Sequence, residues 1–168
     1  VLGGYMNQKL NFEKAEIRDL DEILNLYLER SNWFKEKQIK QWNNYLKSHP
    51  VADFEKAIRT QNYYVMRDHG TIIAGFELSI DSKLWKEESE DVYYIRKVVT
   101  KVGYKNIGSL IFHKCKEIAI SNNKHYLRLE CIKSNKKLNE IYENYNFKWI
   151  RYCNDGLCHF SLRELKIN

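Results

Sequence analysis

The spacing of apolar positions switches along the chain between the two-residue period of a strand and the 3.6-residue period of a helix, and the switches define the predicted elements. Phe12 to Arg18 reads as a first strand. Asp19-Leu-Asp-Glu22 has the form of a helix start, with an acidic cap residue and a glutamate three positions on, and Leu20, Ile23, Leu24 and Tyr27 make one apolar stripe through about Glu29. A second helix is predicted at about Lys35 to Leu46 and a third near Val51 to Arg59, with Pro50 suited to its first turn. Tyr63 to Arg67 and Thr71 to Ile80, separated by Asp68-His-Gly70, predict a hairpin, and a charged loop at Asp81 to Glu90 follows.

The segment Asp91 to Val99 is aromatic and β-branched, as a strand requires, while Ile107, Leu110, Ile111, Cys115 and Ile118 recur at helical spacing. Gly103 to Gly108 therefore lie in a strand-to-helix turn. The first N–H groups of a helix lack intrahelical partners and carry partial positive charge, so such a turn suits an anion, and a pyrophosphate in particular. The same glycines equally serve a tight turn and a close helix–sheet contact. Beyond them His125 to Ile132 reads as another strand and Asn135 to Phe147 as a short helix leading into a further strand.

With 168 residues, 43% of them hydrophobic, and no linker or repeat, the chain is expected to form one domain over residues 6–168. Val1 to Tyr5 precede Met6 and are set aside as a cloning scar or alternative start. There is no apolar run of about 18 residues and no secretory pattern, so the expected location is cytoplasmic, without membrane contact. Cys115, Cys131, Cys153 and Cys158 show no C-x-x-C pairing and the five histidines are dispersed, which argues against zinc or any other metal. Cys153 and Cys158 flank Asn154-Asp155-Gly156 and could face each other across a hairpin, but in a reducing compartment free core thiols are expected. The net charge of +6 and pI near 9 invite a nucleic-acid reading. Lysine and glutamate alternate without a long basic block, however, so a solvated surface and no nucleic-acid partner are expected.

From about Asp91 to Trp149 the order strand, phosphate turn, helix, strand, Asn, short Tyr-bearing helix and Phe resembles the GNAT superfamily of N-acetyltransferases. The family turn, Arg/Gln-x-x-Gly-x-Gly/Ala, corresponds to Gly103-Tyr-Lys-Asn106-Ile-Gly108, and the later Asn followed by Tyr-x-x-x-Gly-Phe to Asn135 and Tyr142-Glu-Asn-Tyr-Asn146-Phe147. Gly103 thus stands where Arg or Gln is usual, and Asn106 and Asn146 where Gly is usual. After glycine, asparagine best tolerates a left-handed backbone, so those two exchanges are the mildest available. Ser31 to Trp42, with Trp33, Gln41 and Trp42, resembles a segment of some bacterial members of unassigned substrate.

The resemblance implies an α+β, αβα-layered fold with a mixed, mainly antiparallel sheet flanked by helices. It implies acetyl-CoA as co-substrate, acetyl transfer to a primary amine by direct attack, and a small-molecule or peptide acceptor; a homodimer is compatible with it. Pantetheine would pair with Val98 and Val99, and the pyrophosphate would sit on Gly103, Tyr104, Lys105, Asn106, Ile107, Gly108 and Ser109, with Lys101 and Lys105 adding charge. Asn135 would reach the pantetheine amide or cap its helix. Tyr142 would act as general acid toward the coenzyme thiolate, or simply pack in the stripe Leu138, Ile141, Tyr142 and Tyr145. Glu77 and Glu130 are the candidates for the base. Trp33, Phe34, Trp42 and Tyr45 would wall an acceptor site or form core beneath two helices. The other reading is a non-catalytic acyl-CoA-binding or regulatory module that kept the fold.

Overall fold

The computed structural model describes residues 10–40, 45–86, 89–156 and 158–167. In chain order the elements are β1 (Phe12–Lys14), α1 (Leu20–Glu36), α2 (Tyr45–Ser48), α3 (Val51–Arg59), β2 (Tyr63–Asp68), β3 (Thr71–Ser79), β4 (Val92–Thr100), α4 (Ile107–Ser121), β5 (Tyr126–Ile132), α5 (Lys136–Asn144), β6 (Lys148–Asn154) and β7 (His159–Lys166). The seven strands form one sheet in the order β1-β2-β3-β4-β5-β7-β6. β1/β2, β5/β7 and β6/β7 pair antiparallel, while β4/β5 is parallel across the α4 connection. This is the expected α+β class, with a mainly antiparallel sheet flanked by helices. No described helix is long and apolar enough to cross a membrane. The chain divides into two compact units, one running to Gly75 and including Thr100–Val102, the other Phe76–Val99 and the chain from Gly103 onward.

In the first unit Tyr27 of α1, Phe54 of α3 and Tyr63 of β2 are all fully buried. Tyr27 stacks on Tyr45 with ring centroids 4.8 Å apart and meets Phe54 edge-on at 5.0 Å, while the Tyr27 and Tyr63 hydroxyls share a hydrogen bond of 2.8 Å. Burying two phenols is tolerable because each hydroxyl satisfies the other. The hairpin turns on His69 and Gly70, both at positive φ (47° and 83°), the two-residue geometry that matches strand twist.

Several boundaries differ from expectation. The first strand stops at Lys14, and Ile17–Asp19 form a 3-10 turn instead. Asp19 does not cap α1. Its carboxylate accepts from the Glu16 N–H at 2.9 Å and from Arg67 at 2.7 Å. Burial pushes the Asp19 pKa up, but these partners overcome it and hold the group below its ordinary value. Glu22, freed from any capping box on α1, accepts instead from the Ile72 N–H at 2.7 Å. α1 runs on to Glu36 and so absorbs the predicted start of the second helix, leaving α2 only Tyr45–Ser48; Gln41 and Trp42 lie outside the described residues. Ile23, Leu26 and Tyr27 are the buried face of α1, whereas Leu20 and Leu24 are half-buried.

In the second unit α4 buries Ile107, Ile111, Phe112, Cys115 and Ala119, leaving Leu110 exposed. All four cysteines are free thiols. Register explains why Cys153 and Cys158 do not meet: Cys153 lies opposite Phe160, and Cys158 sits in the turn with its N–H donated to Asp155. Edge strand β6 carries a bulge between Trp149 and Arg151, which breaks its two-residue alternation and leaves Trp149, Ile150 and Tyr152 exposed.

A Cβ built on Gly75 would lie 2.5 Å from the Tyr63 hydroxyl, inside a fully packed neighbourhood. Gly75→Ala is expected to cost about 1–3 kcal/mol by overpacking, read as a lower denaturation midpoint. Because Tyr63→Phe removes the atom in closest conflict but also the partner of the Tyr27 hydroxyl, the double variant should lose less than the sum of the two single losses.

Candidate active site

β4 and β5 pair only over Val92–Tyr94 and Tyr126–Arg128 among the described residues. β5 continues its ladder with β7 from Tyr126 through Ile132, so beyond Tyr94 the two parallel strands part and leave main-chain groups along the edge of β4 facing the gap. At the parting Lys97 adopts a left-handed backbone, φ 51°, in the middle of a strand. For a residue with a Cβ this costs about 1–2 kcal/mol, so something must hold it. The Lys97 ammonium donates to the buried Glu77 carboxylate on β3, and both side chains are almost wholly removed from solvent. Val98 is half-buried and Val99 buried, immediately beyond this distortion.

Within the first unit the far end of β4 is anchored by α1. Arg30 donates to the Thr100 carbonyl at 2.6 and 3.0 Å, and Lys101 N–H bonds the Ile73 carbonyl at 2.7 Å. Burial lowers the Arg30 pKa from its ordinary value. The Arg30 guanidinium also lies 5.1 Å from the Trp33 ring centroid, and Tyr45 is in the core against Tyr27, so these aromatics are committed to packing; Trp42 is outside the described residues.

The chain then turns through Gly103, φ 93°, and Asn106, φ 61°, into α4. Asn106 occupies the N-cap position but makes no side-chain cap, so its amide does not consume the first-turn N–H groups of Ile107, Gly108 and Ser109. The Ser109 hydroxyl points back to the Asn106 carbonyl at 2.9 Å. A left-handed residue just before a helix gathers successive N–H groups into one concavity, which suits an anion. Tyr104, Lys105, Asn106 and Ser109 are exposed there, whereas the Ile107 side chain is buried. Gly103 has open space where a Cβ would lie and Gly108 meets nothing closer than the Tyr145 hydroxyl at 3.9 Å; of the two sequence readings of these glycines, the turn holds for Gly103 and a close helix–sheet contact for neither. Asn146 is also left-handed, φ 66°, at the end of α5.

On β5 and α5, Cys131 and Tyr142 are buried and Glu130 is half-buried. Tyr142 meets Phe112 edge-on at 5.7 Å, with Phe147 at 6.2 Å, and burial, with smaller contributions from Cys131 and Glu130, raises its pKa well above the ordinary phenol value. It is a neutral phenol at physiological pH. Burial likewise raises the Glu130 pKa, opposed by the Ser82 hydroxyl that donates to it and by the charge of Arg96. Asn135 accepts the Leu138 N–H at 3.0 Å, so its side-chain oxygen caps α5.

Sequence reading passed over four residues that organise this site. Lys97 and Arg96 are adjacent cations in an otherwise apolar and aromatic strand, a legible anomaly. Ser82 comes from a loop and gives no signal of its own. Asn139 on α5 donates to the carbonyls of Ile132 and Asn135 at 3.1 and 2.9 Å and accepts from Arg163 at 3.2 Å, tying the end of β5 to the helix beneath Tyr142. Beside Ser82 a cavity of about 580 Å³ is lined by Ile80, Asp81, Trp85, Val92 and Tyr94, and the buried Trp85 Nε1 has no hydrogen-bond partner among the described residues.

The acetyltransferase (GNAT) family model matches residues 20–147. No curated protein is matched. Among solved structures, a GNAT-family acetyltransferase from Listeria monocytogenes is 21% identical with a TM-score of 0.81, over 94% of this chain and 95% of that one. The PaiA N-acetyltransferase of Thermoplasma acidophilum, solved in complex with coenzyme A, is 19% identical with a TM-score of 0.72, over 95% and 99%. An N-acetyltransferase from Staphylococcus aureus is 16% identical with a TM-score of 0.67, over 96% and 100%. At such identities the structural likeness carries the fold, and the family model, spanning most of the sequence, carries membership: the chain belongs to the GNAT family of acetyltransferases.

Proposed function

We propose that this protein uses acetyl-CoA to acetylate the primary amine of a small-molecule or peptide acceptor by direct attack. The observation that supports it best is the parting of β4 from β5 beside a helix N-terminus that no side chain caps. The strand edge at Val98 and Val99 offers main-chain partners to an extended pantetheine, and Gly103 to Ser109 offer N–H groups to a pyrophosphate. The family uses acetyl-CoA, and one structural neighbour is a coenzyme A complex. When bound, acetyl-CoA supplies the thioester whose acetyl group is transferred.

The rest of the chemistry belongs to side chains and main chain. An acceptor ammonium has no lone pair, so it must first give up a proton, and Glu130 takes it. Glu77, the other candidate, is engaged by Lys97 and would have to break a buried ion pair to serve. A Val98 or Val99 N–H donates to the acetyl oxygen as negative charge grows there. Tyr142, held as a neutral phenol by burial, gives its proton to the departing thiolate. Asn135 orders the end of the site through its cap on α5, alongside any contact with pantetheine.

Acetyl-CoA at about 100 times its dissociation constant should add roughly 2.7 kcal/mol of stability, seen as a higher Tm, with ATP producing far less; equal shifts from both ligands would reduce the site to a generic polyanion surface. A shift without thiol release across a broad amine panel would favour the non-catalytic module. Tyr142→Phe is expected to lower kcat on the order of 10²-fold, and an unchanged rate would remove the acid role. Because only ionised Glu130 accepts a proton, kcat/KM should rise with pH through a value above the ordinary carboxylate 4.5. Burial raises that value, and the Ser82 hydroxyl and the Arg96 charge hold it down. Glu130→Gln should flatten this limb, whereas Glu77→Gln should leave its position in place.

A further inference from the structure

Of the guanidinium groups in the second unit, three are committed. Arg128 donates to Glu164 at 2.7 Å and lies over the Trp85 ring, Arg163 donates to the Phe147 carbonyl at 3.0 Å and to Asn139, and Arg151 lies 5.6 Å from the Trp85 centroid. Arg96 is half-buried, yet among the described residues it makes no hydrogen bond, ion pair or ring contact. A half-buried guanidinium with no protein acceptor keeps its fork of donors available to a bound anion.

Its position gives the omission a meaning. Arg96 is the residue before the left-handed Lys97, on the strand that borders the gap. By strand alternation it shares a face with Tyr94, whose hydroxyl accepts from Arg128 at 3.3 Å, and Glu130 shares the face of Arg128 on β5. Arg96 and Glu130 therefore project from the same face of the two parted strands. They are near enough for the Arg96 charge to lower the Glu130 pKa against burial, but they are not in ion-pair contact. A fork of donors and a carboxylate so placed can hold the two ends of one zwitterion, the anionic end on the guanidinium and the amine at the carboxylate.

Resting on the acetyl-transfer reading above, we infer that the acceptor is an amine carrying a carboxylate close to its nitrogen, as a free amino acid does, and that Arg96 binds that carboxylate while Glu130 receives the amine. Lys97, the neighbouring cation, does not compete for it because Glu77 neutralises it.

The test compares each of a panel of free amino acids with its own carboxamide and with the amine lacking the carboxyl, following thiol release from acetyl-CoA at a pH where Glu130 is ionised. The acid should exceed its amide in kcat/KM by on the order of tenfold to a hundredfold, as a charge-assisted pair gives, with the difference mainly in KM. Arg96→Gln should bring the acid-to-amide ratio close to one, and Arg96→Lys, which keeps the charge without the fork, should retain part of it. Amides or simple amines used as well as the acids, or a ratio unmoved by Arg96→Gln, would overturn the inference. If no acceptor in the panel brings about thiol release, the acetyl-transfer reading fails separately, and calorimetric binding of the same acids and amides in the presence of coenzyme A decides the acceptor question: preference for the acid that disappears in Arg96→Gln supports it, and equal or absent binding refutes it.

Discussion

Every feature of the candidate site follows from the point, just past Tyr94, at which β4 stops exchanging hydrogen bonds with β5. Main-chain groups cannot be left dry and unpaired, so strands that part inside a sheet need their geometry enforced from elsewhere. On the β4 side that enforcement is the Lys97–Glu77 pair. On the β5 side it is the full ladder with β7 and the Asn139 amide on the Ile132 carbonyl. The parted strands are thus each tied outward, and neither depends on the other to stay extended.

Burial does a second job in the same region by deciding protonation. Tyr142 and Glu130 are both shifted upward, chiefly by desolvation, and the Glu130 charge adds to the shift of Tyr142. The phenol is held firmly in its proton-bearing form, while the carboxyl is moved toward neutrality without the buried cation that Glu77 has. One carboxylate is kept permanently paired and the other is kept responsive, although both sit in strands and look alike in the sequence.

This contrast marks what could be read from the residues and what could not. Elements with clean periodicity, such as α3, the β2–β3 hairpin and α4, were legible because burial of one face dictates spacing. The turn at Gly103 and the left-handed backbone at Asn106 and Asn146 were legible because few residue types tolerate that backbone, and both asparagines adopt it. The extent of α1 was obscured by the polar residues after Glu29, since a helix can continue where one face is solvated. Pairings such as Lys97 with Glu77, or Ser82 with Glu130, join residues 20 and 48 positions apart and leave no local trace. The same is true of Arg96, whose importance lies in what the fold does not give it.

The left-handed Lys97 also bears on the speed with which the site can be used. Its conformation is set by a buried pair of side chains belonging to the folded protein alone, so its cost is met once, when the chain folds. A ligand lying along Val98 and Val99 meets a strand edge already bent into place and loses nothing to reorganising it. If coenzyme binds along this edge as proposed, its capture would be governed by encounter and desolvation, with no slow rearrangement of β4 between them.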